Sequence, residues 1–175
     1  MIVAAFATAF FTAFSTNAFA EKADRDKPIN IESNSISVDE INKTQIFEGN
    51  VVMIQGTTEL RANRLVVTQD ADGFQKGVAT GGDKGLARFR QKRDDKNEYI
   101  EGEAEKIEHN AKNEKTEFFV RAWVKNGQDE VRGNYISYES LTEKFTATSG
   151  GQTRSAKGEA DARVKAIIQP KSQNK

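Results

Sequence analysis

A short alternating pattern returns four times along this chain, and its second pair of copies follows the first at one fixed distance. Ile29-x-Ile31-x-Ser33-Asn34-x-Ile36-x-Val38 reappears as Leu60-x-Ala62-Asn63-x-Leu65-x-Val67, as Ala104-Glu105-x-Ile107-x-His109 and as Val131-x-Gly133-Asn134-x-Ile136-x-Tyr138. The small residue of each copy sits at 33, 62, 104 or 133, so 33 to 104 and 62 to 133 are both steps of 71. Phe47 and Phe118, Gly56 and Gly127, Leu60 and Val131, and Leu65 and Ile136 keep the same step. A fixed period marks a repetitive, stacked architecture. Alternation of apolar and polar residues makes the repeated unit a strand. The chain is therefore expected to build a long continuous surface from two similar halves, not a compact catalytic pocket.

The first 20 residues stand apart from this pattern. Ile2 to Phe14 is apolar except for Thr8 and Thr12, and Ala18-Phe19-Ala20 is followed at once by Glu21 and Lys22. An apolar run ending in an A-x-A-type site reads as a secretory signal peptide covering 1–20. No Lys or Arg precedes the run, and an uncleaved membrane anchor is the alternative reading. Residues 21–175 are then expected to form a single domain, flexible at 150–162 and 171–175. All 26 basic and 26 acidic residues lie there, so the net charge is zero. That balance lacks the basic footprint of a nucleic-acid binder. With no cysteine, the chain has no disulfide framework, thiolate metal site or cysteine nucleophile. Charged residues are 30% of the sequence. Such a composition suits a thin sheet with one apolar face better than a thick globular core.

Strands are expected from Ile29 onward, behind Pro28, and then over Thr44 to Ile54, Thr58 to Thr68, Leu86 to Arg90, Tyr99 to His109, Thr116 to Lys125, Glu130 to Glu139, Lys144 to Thr148 and Arg163 to Gln169. Asp70 to Gly73 and Arg93 to Asn97 read as turns, and the four glycines of Gly77 to Gly85 as a loop or bulged hairpin. The Phe89 hairpin reads as an insertion between the halves. Ser155 to Lys165 is the best contender for a short helix. Strands of this number and length fit a sandwich, barrel, jellyroll or β-solenoid.

Catalytic chemistry finds little support. His109 is the only histidine and stands where the repeat has an apolar residue, matching Val38. One histidine without a spaced carboxylate cluster makes no metal site. Asp70/Asp72 and Asp94/Asp95 are carboxylate pairs in turn contexts, where Asp serves backbone geometry. Gly81-Gly82-Asp83-Lys84-Gly85 resembles a phosphate loop but opens no helix. No catalytic residue, metal or cofactor is expected. Arg88, Arg90 and Lys92 share one strand face beside Arg93, and are candidates either for contact with an anionic headgroup or for a solvated outer face.

Parity and repeat register gather Ile29, Ile31, Ile36, Val38, Phe47, Val51, Met53, Leu60, Leu65, Val67, Phe89, Ile107, Phe118, Val120, Val124, Val131 and Ile136 into one apolar lining. An ordinary packed core would show the same lining. Asp26 to Ser33, Phe47 to Val52, Gly56 to Val67, Ala104 to His109, Phe118 to Lys125 and Arg163 to Pro170, in this order behind an export signal, resemble the LptA/OstA-like family of periplasmic lipopolysaccharide-transport proteins. The resemblance covers nearly all of residues 21–175. It implies an all-β, open, twisted antiparallel β-jellyroll that carries lipopolysaccharide from inner to outer membrane and stacks head to tail. It also implies an LptC-like inner-membrane export complex and an LptD-like outer-membrane translocon as partners. The lining residues expected to meet lipid A acyl chains are Ile29, Ile31, Ile36, Val38, Phe47, Met53, Leu60, Leu65, Phe89, Ile107, Phe118 and Val124. His109 takes a place where the family often has an aromatic. Ile29 to Val38 and Arg163 to Gln169 are expected at opposite ends, where unpaired strands join neighbours. A membrane-anchored partner of the same system and a structural β-solenoid with a dry core are the competing readings.

Overall fold

The computed structural model describes residue 24 and residues 27–71, 73–82, 85–93, 98–149 and 163–170. The proposed signal segment, the Asp94/Asp95 pair and nearly all of the Ser155 to Lys165 stretch lie outside these residues. Twelve strands follow one another: β1 (Asn30–Glu32), β2 (Ser35–Asp39), β3 (Thr44–Gln55), β4 (Thr58–Asp70), β5 (Gly73–Thr80), β6 (Ala87–Lys92), β7 (Tyr99–Ala104), β8 (Lys106–Asn110), β9 (Lys115–Asn126), β10 (Asp129–Glu139), β11 (Lys144–Thr148) and β12 (Lys165–Ile167). A 3-10 turn, Ser140–Thr142, separates β10 from β11.

All twelve strands belong to one antiparallel sheet. The long strands β3, β4, β9 and β10 run through both of its walls. The first wall orders β2, β3, β4, β5, β8, β9, β10 and β11. The second orders β1, β3, β4, β6, β7, β9, β10 and β12. Between them runs a crease. In β3 the register shifts between Glu48 and Val51, where Gly49 (φ 82°) and Asn50 (φ 50°) are left-handed. Both residue types tolerate that conformation. The corresponding residues of β9, Val120 (φ 61°) and Arg121 (φ 52°), adopt it too. A side chain pays roughly 1–2 kcal/mol there. Val120 therefore belongs to the crease and is only half-buried, a correction to its place in the lining.

Small residues fill the crease. Val51 faces Ala62, Ala87 faces Ala104, and Ala122 faces Gly133. The small residues that anchor the sequence repeat at 62, 104 and 133 are therefore those that let the two walls approach each other.

On either side of the crease, directly opposed residues share a face and form cross-strand rows. One row reads Ile36, Phe47, Leu65, Ala79, Ile107, Phe118, Ile136 and Ala147. The facing wall carries Ile31, Met53, Leu60, Phe89, Gly102, Val124, Val131 and Ala166. Most members of both rows are buried in the common core or packed against it. Each fully buried Leu, Ile or Phe side chain contributes about 1.5–3 kcal/mol.

The halves repeat in space as they do in sequence. The pairings β1·β3, β2·β3, β3·β4, β4·β5 and β4·β6 recur as β7·β9, β8·β9, β9·β10, β10·β11 and β10·β12. Three expectations are corrected by this pattern. The Phe89 hairpin is no insertion: β6 is the last strand of the first half and β7 the first of the second. Tyr99 to His109 is two strands, because Glu105 sits at the crease and its backbone bonds Val120 and Gly81 instead of extending one ladder. The glycine-rich stretch begins inside β5, which takes residues 77–80, whereas Gly81, Gly82 and Gly85 lie in the connection from β5 to β6 as expected.

Candidate functional site: a cavity between the walls of the first half

A cavity of about 480 Å³ lies between the walls of the first half and reaches across the joint to β8 and the turn that follows it. Its second-wall side is made by Ile29, Met53, Leu60, Phe89 and Gln91. The first wall contributes Leu65, Phe74, Gly77, Ile107 and His109. Polar groups border it, including Asp24, Lys27, Gln55, Asp70, Lys112 and Glu114. Its volume falls within the range of small-molecule and lipid pockets. An apolar interior with a polar border suits a ligand having an apolar body and a polar end.

Gly77 gives the cavity part of its depth. A Cβ there would come 3.3 Å from Phe74 Cζ, so the Phe74 ring lies across the glycine. Phe74 in turn lies parallel to His109, with ring centres 6.2 Å apart and planes inclined by 14°. His109 Nδ1 is 3.0 Å from Thr116 Oγ1. The histidine is a lining residue, stacked on Phe74 and hydrogen-bonded to Thr116. Among the described residues, no group of His, Asp and Glu side chains is placed to hold a metal ion.

The expected lipid-contacting residues fall into three sets. Ile29, Met53, Leu60, Leu65, Phe89 and Ile107 line the cavity. Phe47, Phe118 and Val124 are buried in the core instead, and Ile31 packs against it. Ile36 and Val38 lie at the edge strand β2 and are 57% and 51% exposed. They continue the interior rows but have no strand beyond them.

The basic cluster lies on the outer face. Arg88 Nε is 3.0 Å from Glu103 Oε1, and Arg90 Nε is 3.3 Å from Glu101 Oε1. Arg90 also stands over the Tyr99 ring at 3.8 Å. The two arginines thus tie β6 to β7 across the joint between the halves. On the first wall, Lys76 bridges the same joint to Glu108 at 2.7 Å. Burial pushes the Glu108 carboxyl up, but hydrogen bonds from Lys106 and Lys76 outweigh it and hold the group below the ordinary glutamate value. Residue order alone does not reveal these ion pairs, because the partners of Arg88 and Arg90 are set by the pairing of β6 with β7.

The chain's own ends are the other feature of the site. Ile36, Val38, Ile41, Ile54, Leu141, Val164, Ile167 and Ile168 are the exposed large apolar residues among those described. All of them lie in or beside the terminal strand groups, β1 to β3 at one end and β10 to β12 at the other. Ile29 to Val38 and Arg163 to Gln169 do fall at opposite ends of the sheet. The final strand is shorter than expected, covering only Lys165–Ile167.

Residues 30–144 match the family model described as LptA/(LptD N-terminal domain) LPS transport protein. The chain is 31% identical over 137 residues to the lipopolysaccharide export system protein LptA of Escherichia coli K12, covering 78% of this chain and 73% of that one. It is 29% identical over 140 residues to the LptA of Haemophilus influenzae, covering 80% of this chain and 81% of the relative. Its fold matches the crystal structure of LptH, described as the LptA homologous periplasmic component of the lipopolysaccharide transport device of Pseudomonas aeruginosa. The TM-score is 0.74 at 23% identity, covering 84% of this chain and 99% of that structure. This likeness shows the same β-jellyroll-like arrangement.

Proposed function

The chain belongs to the LptA/(LptD N-terminal domain) LPS transport protein family, and on that premise we propose that it is a periplasmic carrier that shields the acyl chains of lipopolysaccharide between its walls. Residues 1–20 serve as its export signal and residues 21–175 as a single domain. The observation that carries this reading is the first-half cavity, set in rows of apolar residues that run to both open ends of the sheet. An acyl chain of ~12 carbons is unfavourable in water by about 9–10 kcal/mol, at ~0.8 kcal/mol per CH₂. A carrier must cover that surface along the whole route between membranes. Moving the lipid requires no bond-making step in this chain. Net direction comes from an energy source in an LptC-like inner-membrane complex, with an LptD-like translocon receiving the lipid.

Head-to-tail assembly follows from the molecule's own joint. Within one chain, β5 pairs with β8 and β6 with β7, which unites the halves. The last strands, β11 and β12, repeat the places of β5 and β6, while β1 and β2 repeat those of β7 and β8. A second copy docked in the same way sets Ala147 opposite Ile36 and Phe145 opposite Val38 of that copy. It also sets Lys165 opposite Glu32 and Ala166 opposite Ile31. Both interior rows then pass unbroken from one chain into the next. Such a contact does not close, so it builds a filament. Exposed Ile36 and Val38 acquire the cover that their counterparts Ile107 and His109 already have.

Photo-crosslinkers at Met53 and Leu60 should capture lipopolysaccharide during export. Phe89→Asp should remove that capture by placing a charge in the lipid's path. A folded protein whose crosslinkers never capture lipopolysaccharide would contradict the carrier reading.

A further inference from the structure

The two halves share strands and pairings, but they fill their interiors differently. In the first half Val67 stands opposite Gly77. In the second half the same two places hold Tyr138 opposite Phe145. These rings stack with centres 4.4 Å apart and planes inclined by 22°. A valine and a glycine on one side thus correspond to two aromatic rings on the other.

A glycine on the facing wall makes room for a third ring. Ile31 and Gly102 are counterparts, opposite Met53 and Val124. With no side chain on Gly102, the Phe118 ring reaches across the interior. A Cβ on Gly102 would lie only 2.3 Å from Phe118 Cε1. Phe118 is fully buried and meets the edge of Phe89 at 6.0 Å and 75°. Phe89 also lines the cavity. Phe118 thus packs directly behind two lining residues, against the Phe89 ring on one wall and beside Ile107 on the other.

We propose that Phe118, Tyr138 and Phe145 form an aromatic plug that confines each chain's acyl-chain site to its first half and the adjoining strand β8. This inference rests on the carrier reading above. Joined copies then make a series of separate apolar pockets, one per chain, instead of an open tube. Aromatic pairs hold each other beyond their burial, so the plug opens at an energetic cost. Passage becomes stepwise, with each pocket holding its cargo until the rings ahead of it part. Val67 and Tyr138 are then the residues that decide which half is hollow.

The test exchanges these two positions. Full-length mature chain is titrated with the apolar dye N-phenylnaphthylamine, and dye is counted per chain by fluorescence. The unmodified chain should bind one dye. Val67→Tyr extends a ring over Gly77 into the cavity, and should weaken dye binding by roughly tenfold, a loss of 1.4 kcal/mol. Tyr138→Val combined with Phe145→Ala should add a second dye site, and Tyr138→Val alone should do so if the double variant fails to fold. A folded Val67→Tyr chain that binds dye like the parent would overturn the proposal. So would a folded Tyr138→Val chain with no added site. A second arm places photo-crosslinkers at Leu60 and Val131: Leu60 should capture lipopolysaccharide and Val131 should not, and capture at Val131 in the unmodified chain would also overturn it. If the dye results hold and neither position captures lipopolysaccharide, the carrier reading fails while the plugged interior stands.

Discussion

The joint between the halves and the two free ends are made from corresponding strands, but one is laced with charge and the others are left apolar. At the joint, Lys76–Glu108, Arg88–Glu103 and Arg90–Glu101 cross from one half to the other. At the ends, the places of Arg88 and Arg90 are held by Lys165 and Ile167, and those of Glu103 and Glu101 by Glu32 and Asn30. Only one of the two opposite-charge pairs across β6·β7 is left for a neighbour. Exposed ion pairs contribute only about 0–1 kcal/mol each. The lacing therefore acts mainly on register, holding two halves in one alignment. The ends dispense with it and leave apolar edge strands, whose proposed contact with a neighbour would depend on concentration. In the proposed filament, the same architecture would give a permanent seam inside the chain and a separable one between chains.

One substitution placed at matched positions should break the two seams differently. Ile107 and Ile36 are counterparts, but Ile107 is 1% exposed and Ile36 is 57% exposed. Ile107→Asp buries an unpaired carboxylate and should cost about 4 kcal/mol of stability or more, read by urea unfolding. Ile36→Asp should stay within about 0.5 kcal/mol of the parent in the same assay, as surface changes do. It should nonetheless abolish concentration-dependent assembly in sedimentation experiments. Equal destabilisation by both would show that the end strand is not a free surface.

A smaller effect is expected from the remaining ion pair of the separable seam. Lys165→Glu should weaken assembly by roughly tenfold, since like charges then face each other across the contact. Adding Glu32→Lys should restore it with the signs exchanged. Failure of the double variant to recover assembly would rule out this register.

The smallest effect concerns acid. Glu108 has its folded-state carboxyl held below the ordinary value of 4.5, with Lys106 and Lys76 as the hydrogen-bonding partners. Its contribution to the inner joint is therefore fully present above the unfolded value. It is lost as pH falls through the lower folded value. Glu108→Gln should be less stable than the parent at neutral pH, and the difference should shrink steadily once pH drops below 4.5. A difference that is unchanged by acid would show that the ion pair does not stabilise the joint.

The period of 71 and the alternation made the halves, most strands and most of the lining legible before any coordinates. The small anchoring residues were visible too, although their meaning as a crease emerged only when the walls were seen to meet there. What stayed hidden depends on contacts between distant strands. Gly49-Asn50 announces a left-handed bend, but Val120-Arg121 makes the same bend with residues that give no such sign. Glycines in β5 suggested a loop, yet Gly77 is a strand residue under an aromatic ring. The fixed step aligns Phe74 with Phe145, whereas the ladders place Phe145 where the first half has Gly77. That slip in register separates a hollow half from a filled one, and residue spacing alone does not reveal it.

The crease has a mechanical meaning. A sheet bent along one line has a single soft coordinate, the angle between its walls. The ladders on either side lie within the walls, so they keep their bonds when that angle changes. The irregularities at Glu48/Val51 and Gly133/Tyr135 fall on the bend itself, where pairing is already interrupted. On the proposed carrier reading, width could adjust to thicker or thinner cargo by flexing a spine of small residues, leaving the interior side chains in their places. Stiffening the spine would act on the size of what passes, even though no residue of the spine needs to touch it.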